Sequence, residues 1–67
     1  MLYQIDICDG AMVLFDEDGS SYDSVLLTTY GEAICTVRRW SRRYTLNVAD
    51  AYRLVYDHFT SCRTTER

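Results

Sequence analysis

Apolar and polar residues alternate from Tyr3 to Ile7, and after Cys8 the pair Asp9-Gly10 separates this segment from the unbroken apolar run Ala11 to Phe15. Two short apolar-rich segments on either side of an Asp-Gly pair predict two antiparallel strands joined by a type I′ turn, because Asp and Gly accept the positive φ angles such a turn needs. With a two-residue loop the register follows: Cys8 opposite Ala11, Ile7 opposite Met12, Asp6 opposite Val13, Ile5 opposite Leu14 and Gln4 opposite Phe15. The pleat then gathers Tyr3, Ile5, Ile7, Met12 and Leu14 on a core face. Gln4, Asp6, Cys8, Ala11, Val13 and Phe15 share the other face, which is either covered by something small or left as a contact patch beside acids. An isolated hairpin is marginal in water, so a third strand is expected.

Asp16 to Ser21 reads as a solvated acidic turn. Tyr22 to Leu27 is β-branched and aromatic, which suits the third strand, although Tyr22, Val25, Leu26 and Tyr30 also fit a helical stripe. Thr29-Tyr30-Gly31-Glu32 reads as a capping box opening a helix, with Gly31 as the end of an earlier helix the alternative. From Tyr30 to Tyr44 the period changes to 3.6: Ala33, Val37, Trp40 and Tyr44 fall in one arc with Ile34 at its flank, and Arg38, Arg39, Arg42 and Arg43 lie opposite. A hairpin over Val37 to Tyr44 is the structural rival. Asn47 is the N-cap of a second helix. Its stripe of Val48, Ala51, Tyr52, Val55, Tyr56 and Phe59 should meet the sheet, with Phe59, Val55, Tyr52 and Trp40 packing against Ile5, Ile7 and Leu14. The expectation is a single compact α+β domain over residues 1–67: a small antiparallel sheet covered by two C-terminal helices, with a frayed tail at 61–67.

Charge sharpens this picture. Asp6, Asp9, Asp16, Glu17, Asp18, Asp23 and Glu32 stand unopposed through residue 37, a formal −7, whereas seven arginines against three acids make the remainder +4, for a net −3. Such polarity bears on association rather than on fold. A chain of 67 residues buries only about 60% of its unfolded surface, so dimerisation would help it, and monomer and homodimer both stay open. Three widely spaced cysteines, Cys8, Cys35 and Cys62, with no apolar leader before them, point to a reduced, cytoplasmic setting. No apolar run reaches the roughly 20 residues of a membrane span, so no membrane partner is expected.

Candidate chemistry is sparse. The acidic turn lacks the alternating ligands and closing Glu of a calcium loop. His58 and Cys62, four apart on a helix, offer two metal ligands where a site needs more. Cys35 near Arg38 and Arg39 could favour a thiolate, but a helical cysteine is more often a small buried hydrophobe. One histidine, no glycine-rich phosphate loop and no nucleophile setting argue against an enzyme, and no cofactor or metal is implied.

A binding protein remains. In the leading reading Asp6, Asp9, Asp16, Glu17, Asp18 and Asp23, with Val13 and Phe15, engage a basic protein surface that ordinarily holds nucleic acid. The alternatives are a nucleic-acid-binding module built on Arg38, Arg39, Arg42 and Arg43, which the overall acidity disfavours, and a homodimeric interaction protein in which the Arg helix meets another copy's hairpin. In size, acidity and lack of motifs the chain resembles the small phage-encoded anti-CRISPR inhibitors. That resemblance is carried by the unopposed acids from Asp6 to Glu32 and covers about half the chain in character. It implies a DNA-mimicking inhibitor of a CRISPR effector complex in a bacterial host cytoplasm, and it assigns no individual residue.

Overall fold

A computed structural model describes the backbone of residues 1–65 and the side chains of residues 1–61. The fold is α+β. Strands β1 (Gln4–Cys8), β2 (Ala11–Phe15) and β3 (Ser21–Leu26) form an antiparallel sheet in the order β1-β2-β3, followed by helices α1 (Tyr30–Ser41) and α2 (Val48–Thr65). Asp9 and Gly10 take φ of 53° and 76°, the left-handed geometry of the expected turn. The β1-β2 register runs from Gln4↔Phe15 to Cys8↔Ala11, as the two-residue loop requires.

The second hairpin is less regular. Ala11, Met12, Val13 and Leu14 pair with Leu26, Val25, Ser24 and Asp23, but Phe15 pairs with Ser21, so Tyr22 is the extra residue of a β-bulge. Gly19, at φ 89° in the β2-β3 turn, donates its N–H to the Asp16 carbonyl at 3.1 Å.

Both sheet edges are blunted. The Leu27 N–H meets the Gly10 carbonyl at 2.9 Å, so by alternation the Ser24 and Leu26 amides point away from β2. On the opposite side the Tyr3 N–H donates to the Thr45 carbonyl at 2.7 Å beside a parallel bridge to Leu46, which leaves the Ile5 and Ile7 amides outward. Asp6 Oδ1 accepts the Ile7 N–H and Asp23 Oδ1 accepts the Ser24 N–H, each at 2.8 Å. A carboxylate on an outward amide discourages another strand from adding there.

Both helices begin on side-chain caps. Thr29 Oγ1 accepts the Glu32 N–H at 3.2 Å, and the Thr28 hydroxyl donates to the Glu32 carboxylate at 2.7 Å. Asn47 Oδ1 accepts the Asp50 N–H at 3.1 Å. Helix α1 stops at Ser41, three residues short of the expected Tyr44. The Arg42 and Arg43 amides turn back to the Arg39 and Trp40 carbonyls, tightening the last turn before the chain extends past Tyr3. No Val37 to Tyr44 hairpin forms. Helix α2 continues to Thr65, past the Ser61 at which the sequence suggests a tail; Glu66 and Arg67 lie outside the described residues.

The core lies between one sheet face and the two helices: Met12 and Leu14 from β2, Ala33, Val37 and Trp40 from α1, and Ala51 and Val55 from α2. Trp40 also donates its indole N–H to Asp23 Oδ2 at 3.1 Å, tying α1 to β3. Phe59 and Tyr52 are only half-buried at the core margin, and the Phe59 ring meets Tyr30 edge-on at 5.8 Å. Of the residues expected to pack together, Val55, Trp40 and Leu14 are buried, Phe59, Tyr52 and Ile5 are only partly buried against them, and Ile7 lies outside the cluster.

Leu14 is fully buried and Leu26 is 70% exposed. Leu14→Ala should therefore cost about 2–5 kcal/mol, a large share of a small domain's stability. Leu26→Ala should stay within about 0.5 kcal/mol. Urea unfolding midpoints measure both, and equal shifts would contradict this core.

Candidate functional site

The sheet face away from the helices is open. Ala11, Val13 and Phe15 alternate with the buried Met12 and Leu14, so they lie on that face and are half-buried. Their cross-strand partners add Cys8, Asp6 and Gln4 from β1 and Leu26, Ser24 and Ser21 from β3. None of these residues joins the core cluster. Asp6, Cys8, Val13, Phe15 and Gly19 line a shallow concavity at its centre, and Leu26 extends the apolar surface beside Ala11. The structure thus brings Asp6, Val13 and Phe15 of the sequence-derived set together. Cys8 lies on this face as the first hairpin's register requires, and the structure adds Leu26, which could be assigned to it only once the β3 register was known.

The remaining acids divide. Asp9 is exposed in the first turn and Asp18 in the second. Glu17 is exposed, and its Oε2 accepts the Leu2 N–H at 3.3 Å. Asp16 departs from the expected solvated turn: it is only 5% exposed, and its Oδ1 accepts the N–H groups of Asp18 and Ser20 at 2.9 and 3.0 Å. Burial pushes this carboxyl up, but the amides of Ser20 and Asp18 and the Tyr22 hydroxyl outweigh it and hold it below its ordinary 3.8. The same contact, with the Asp16 charge, raises the Tyr22 phenol above its ordinary 10.0. Asp23 is committed to Trp40 and to the Ser24 amide, and its pairing with buried Leu14 puts it on the helix side of the sheet. Asp16 is therefore a buried internal acceptor, whereas Asp23 is exposed but has one carboxylate oxygen on the Trp40 indole and the other on the Ser24 amide.

Helix α1 and its following turn expose Arg38, Arg39, Arg42 and Arg43 on the helix layer, across the sheet from the open face. The Arg43 guanidinium sits 5.9 Å from the Tyr44 ring centre, and Tyr44 packs with Tyr3 and Tyr22 at ring separations of 4.8 and 6.3 Å. Cys35 is exposed, against the expectation of a buried hydrophobe, and Cys8 is exposed on the open face. His58 is half-buried against Phe59, while the side chain of Cys62 lies outside the described residues. Among the described residues no group of three His, Cys, Asp or Glu could hold a metal ion, and no helix is long and apolar enough to cross a membrane.

Comparison with protein-family models, with curated proteins and with solved structures gives no match.

The Asp16–Tyr22 contact predicts two limbs in the pH dependence of stability. Asp16 has a folded pKa below the unfolded one, so its contribution is complete above about pH 4 and is lost as pH falls through the folded value. Tyr22 has a raised folded pKa, so its contribution is complete below about pH 10 and is lost as pH rises through the folded value. Asp16→Asn, which keeps an acceptor, should flatten the acid limb, and Tyr22→Phe the alkaline one. Urea midpoints followed from pH 3 to 11 check this, and limbs unchanged in both variants would contradict the contact.

Proposed function

We propose that this chain is an inhibitor-type binding protein that occupies a basic, nucleic-acid-binding surface of a partner and does not itself bind DNA. One observation carries the reading: the three strands and their turns contain no basic residue, and they present an uncovered face bearing Val13, Phe15 and Leu26. A surface of this kind repels polyanions and attracts clustered Lys and Arg. DNA presents about one charge per 1.7 Å of helix axis, so a partner built to hold it carries the cations that a compact group of carboxylates can engage. The exposed carboxylates Asp6, Asp9, Glu17 and Asp18 supply steering and specificity, and the apolar stripe supplies desolvated contact area. The resemblance to anti-CRISPR inhibitors names a partner class within this reading, the DNA channel of a CRISPR effector complex.

The test compares the wild type with an Asp6→Asn, Asp9→Asn, Glu17→Gln, Asp18→Asn variant, each immobilised to capture a partner from a bacterial host extract. The wild type should retain a protein that duplex DNA displaces, and the variant should lose it while keeping the wild-type unfolding midpoint. Association should slow steeply with salt for the wild type and less so for the variant. Sub-micromolar binding of the wild type to duplex DNA at physiological salt, abolished by changing Arg38, Arg39, Arg42 and Arg43 and indifferent to the acids, would replace this reading with direct nucleic-acid binding.

A further inference from the structure

We propose that the open sheet face is a seat for one basic amphipathic helix of the partner, an inference that rests on the functional reading above for the partner's charge. Geometry selects a helix over a strand. The edges of the sheet are poor sites for strand addition, since Asp6 and Asp23 hold the outward amides of Ile7 and Ser24 and Thr45 holds that of Tyr3. What remains unpartnered is a stripe. Ala11, Val13 and Phe15 follow one another along β2 over about 14 Å at 3.4 Å per residue, and Leu26 widens the stripe at the Ala11 end. Anchors at i, i+4 and i+7 of a helix span about 10 Å at 1.5 Å per residue, so a helix of roughly three turns fits its apolar edge to this stripe.

Charge selects a basic helix. Asp6 lies beside Val13 as its cross-strand partner, Asp9 stands in the turn at the Ala11 end, and Asp18 stands in the turn beyond Phe15. With acids at both ends and along one side, and no cation on the three strands, a docked helix is complementary when Lys or Arg flank its apolar edge. Helices that contact nucleic acid carry this basic character.

Cys8 on the stripe's margin and Cys35 on α1 provide a native reporter and its control, because both are exposed. The probe is a synthetic peptide of about three turns, composed of Leu, Ala and Arg, with leucines at i, i+4 and i+7 and arginines flanking them. At a peptide concentration about ten times Kd, maleimide alkylation of Cys8 should slow about tenfold and that of Cys35 should not change, as mapped by mass spectrometry. Leu26→Ser and Phe15→Ser should weaken peptide binding about tenfold or more, with Leu26→Ser the safer variant because that side chain is already 70% exposed. The proposal is overturned if the bound peptide leaves Cys8 unprotected, or if a version with serine for leucine, or glutamate for arginine, binds equally well. It is also overturned if Cys8 becomes protected on raising the concentration of this chain alone, which would assign the face to a second copy. Loss of the captured partner in the acid-to-amide variant alongside its retention by Leu26→Ser would sink this seat while leaving the functional reading intact. Retention of the partner by the acid-to-amide variant would sink the functional reading itself.

Discussion

Both helices pack on the same face of a three-stranded sheet, and the rest of the structure depends on that one-sided burial. Strand side chains alternate between faces, so driving Met12 and Leu14 into the helices places Val13 and Phe15 on the other side of the sheet. Among the described residues no element covers them. Among the described residues of this small chain, seven buried apolar residues form the core, and polar contacts at its margin must position the elements that the core is too small to hold alone. The exposed apolar stripe is thus a direct result of how the core is made.

Two carboxylates do much of that positioning. Asp16, at the end of β2, accepts the amides of Asp18 and Ser20 and the Tyr22 hydroxyl, closing the second turn from inside. The bulge at Tyr22 then lets consecutive residues serve the helix side of the sheet: Tyr22 meets Tyr3 and Tyr44, and Asp23 receives the Trp40 indole. The −7 segment is therefore mixed in role. Buried Asp16 and helix-side Asp23 hold the fold, and Asp6, Asp9, Glu17 and Asp18 are the members exposed to a partner without a buried or helix-side commitment.

Much of the architecture was legible because local signals agreed with one another. Asp9-Gly10 permits one tight turn, and a two-residue turn determines every pair of the first hairpin. Thr29 and Asn47 marked both helix starts, since a side-chain acceptor is needed where the first amides have no partner. The sequence reading failed where an outcome depended on three-dimensional closure. Asp16 looks like its neighbours Glu17 and Asp18 until the turn folds around it. A bulge at Tyr22 has no compositional mark, so the positions of Tyr22 and Asp23 could not be assigned, nor could Leu26 be placed on the open face. Helix α1 ended early because a tightened final turn, invisible in a hydrophobic arc, redirects the chain toward Tyr3. Periodicity also ranked Phe59 with Val55, although only Val55 is fully enclosed.

Methyl and amide NMR of the labelled chain, alone and bound to the partner it captures, tests the central claim most directly. The account predicts that shifts and line broadening concentrate at Ala11, Val13, Phe15 and Leu26 and at the amides of Asp6, Asp9 and Asp18. The end of helix α1 and the turn after it, from Arg38 to Arg43, should stay unperturbed. Perturbation centred on those arginines, with the open face unchanged, would contradict it.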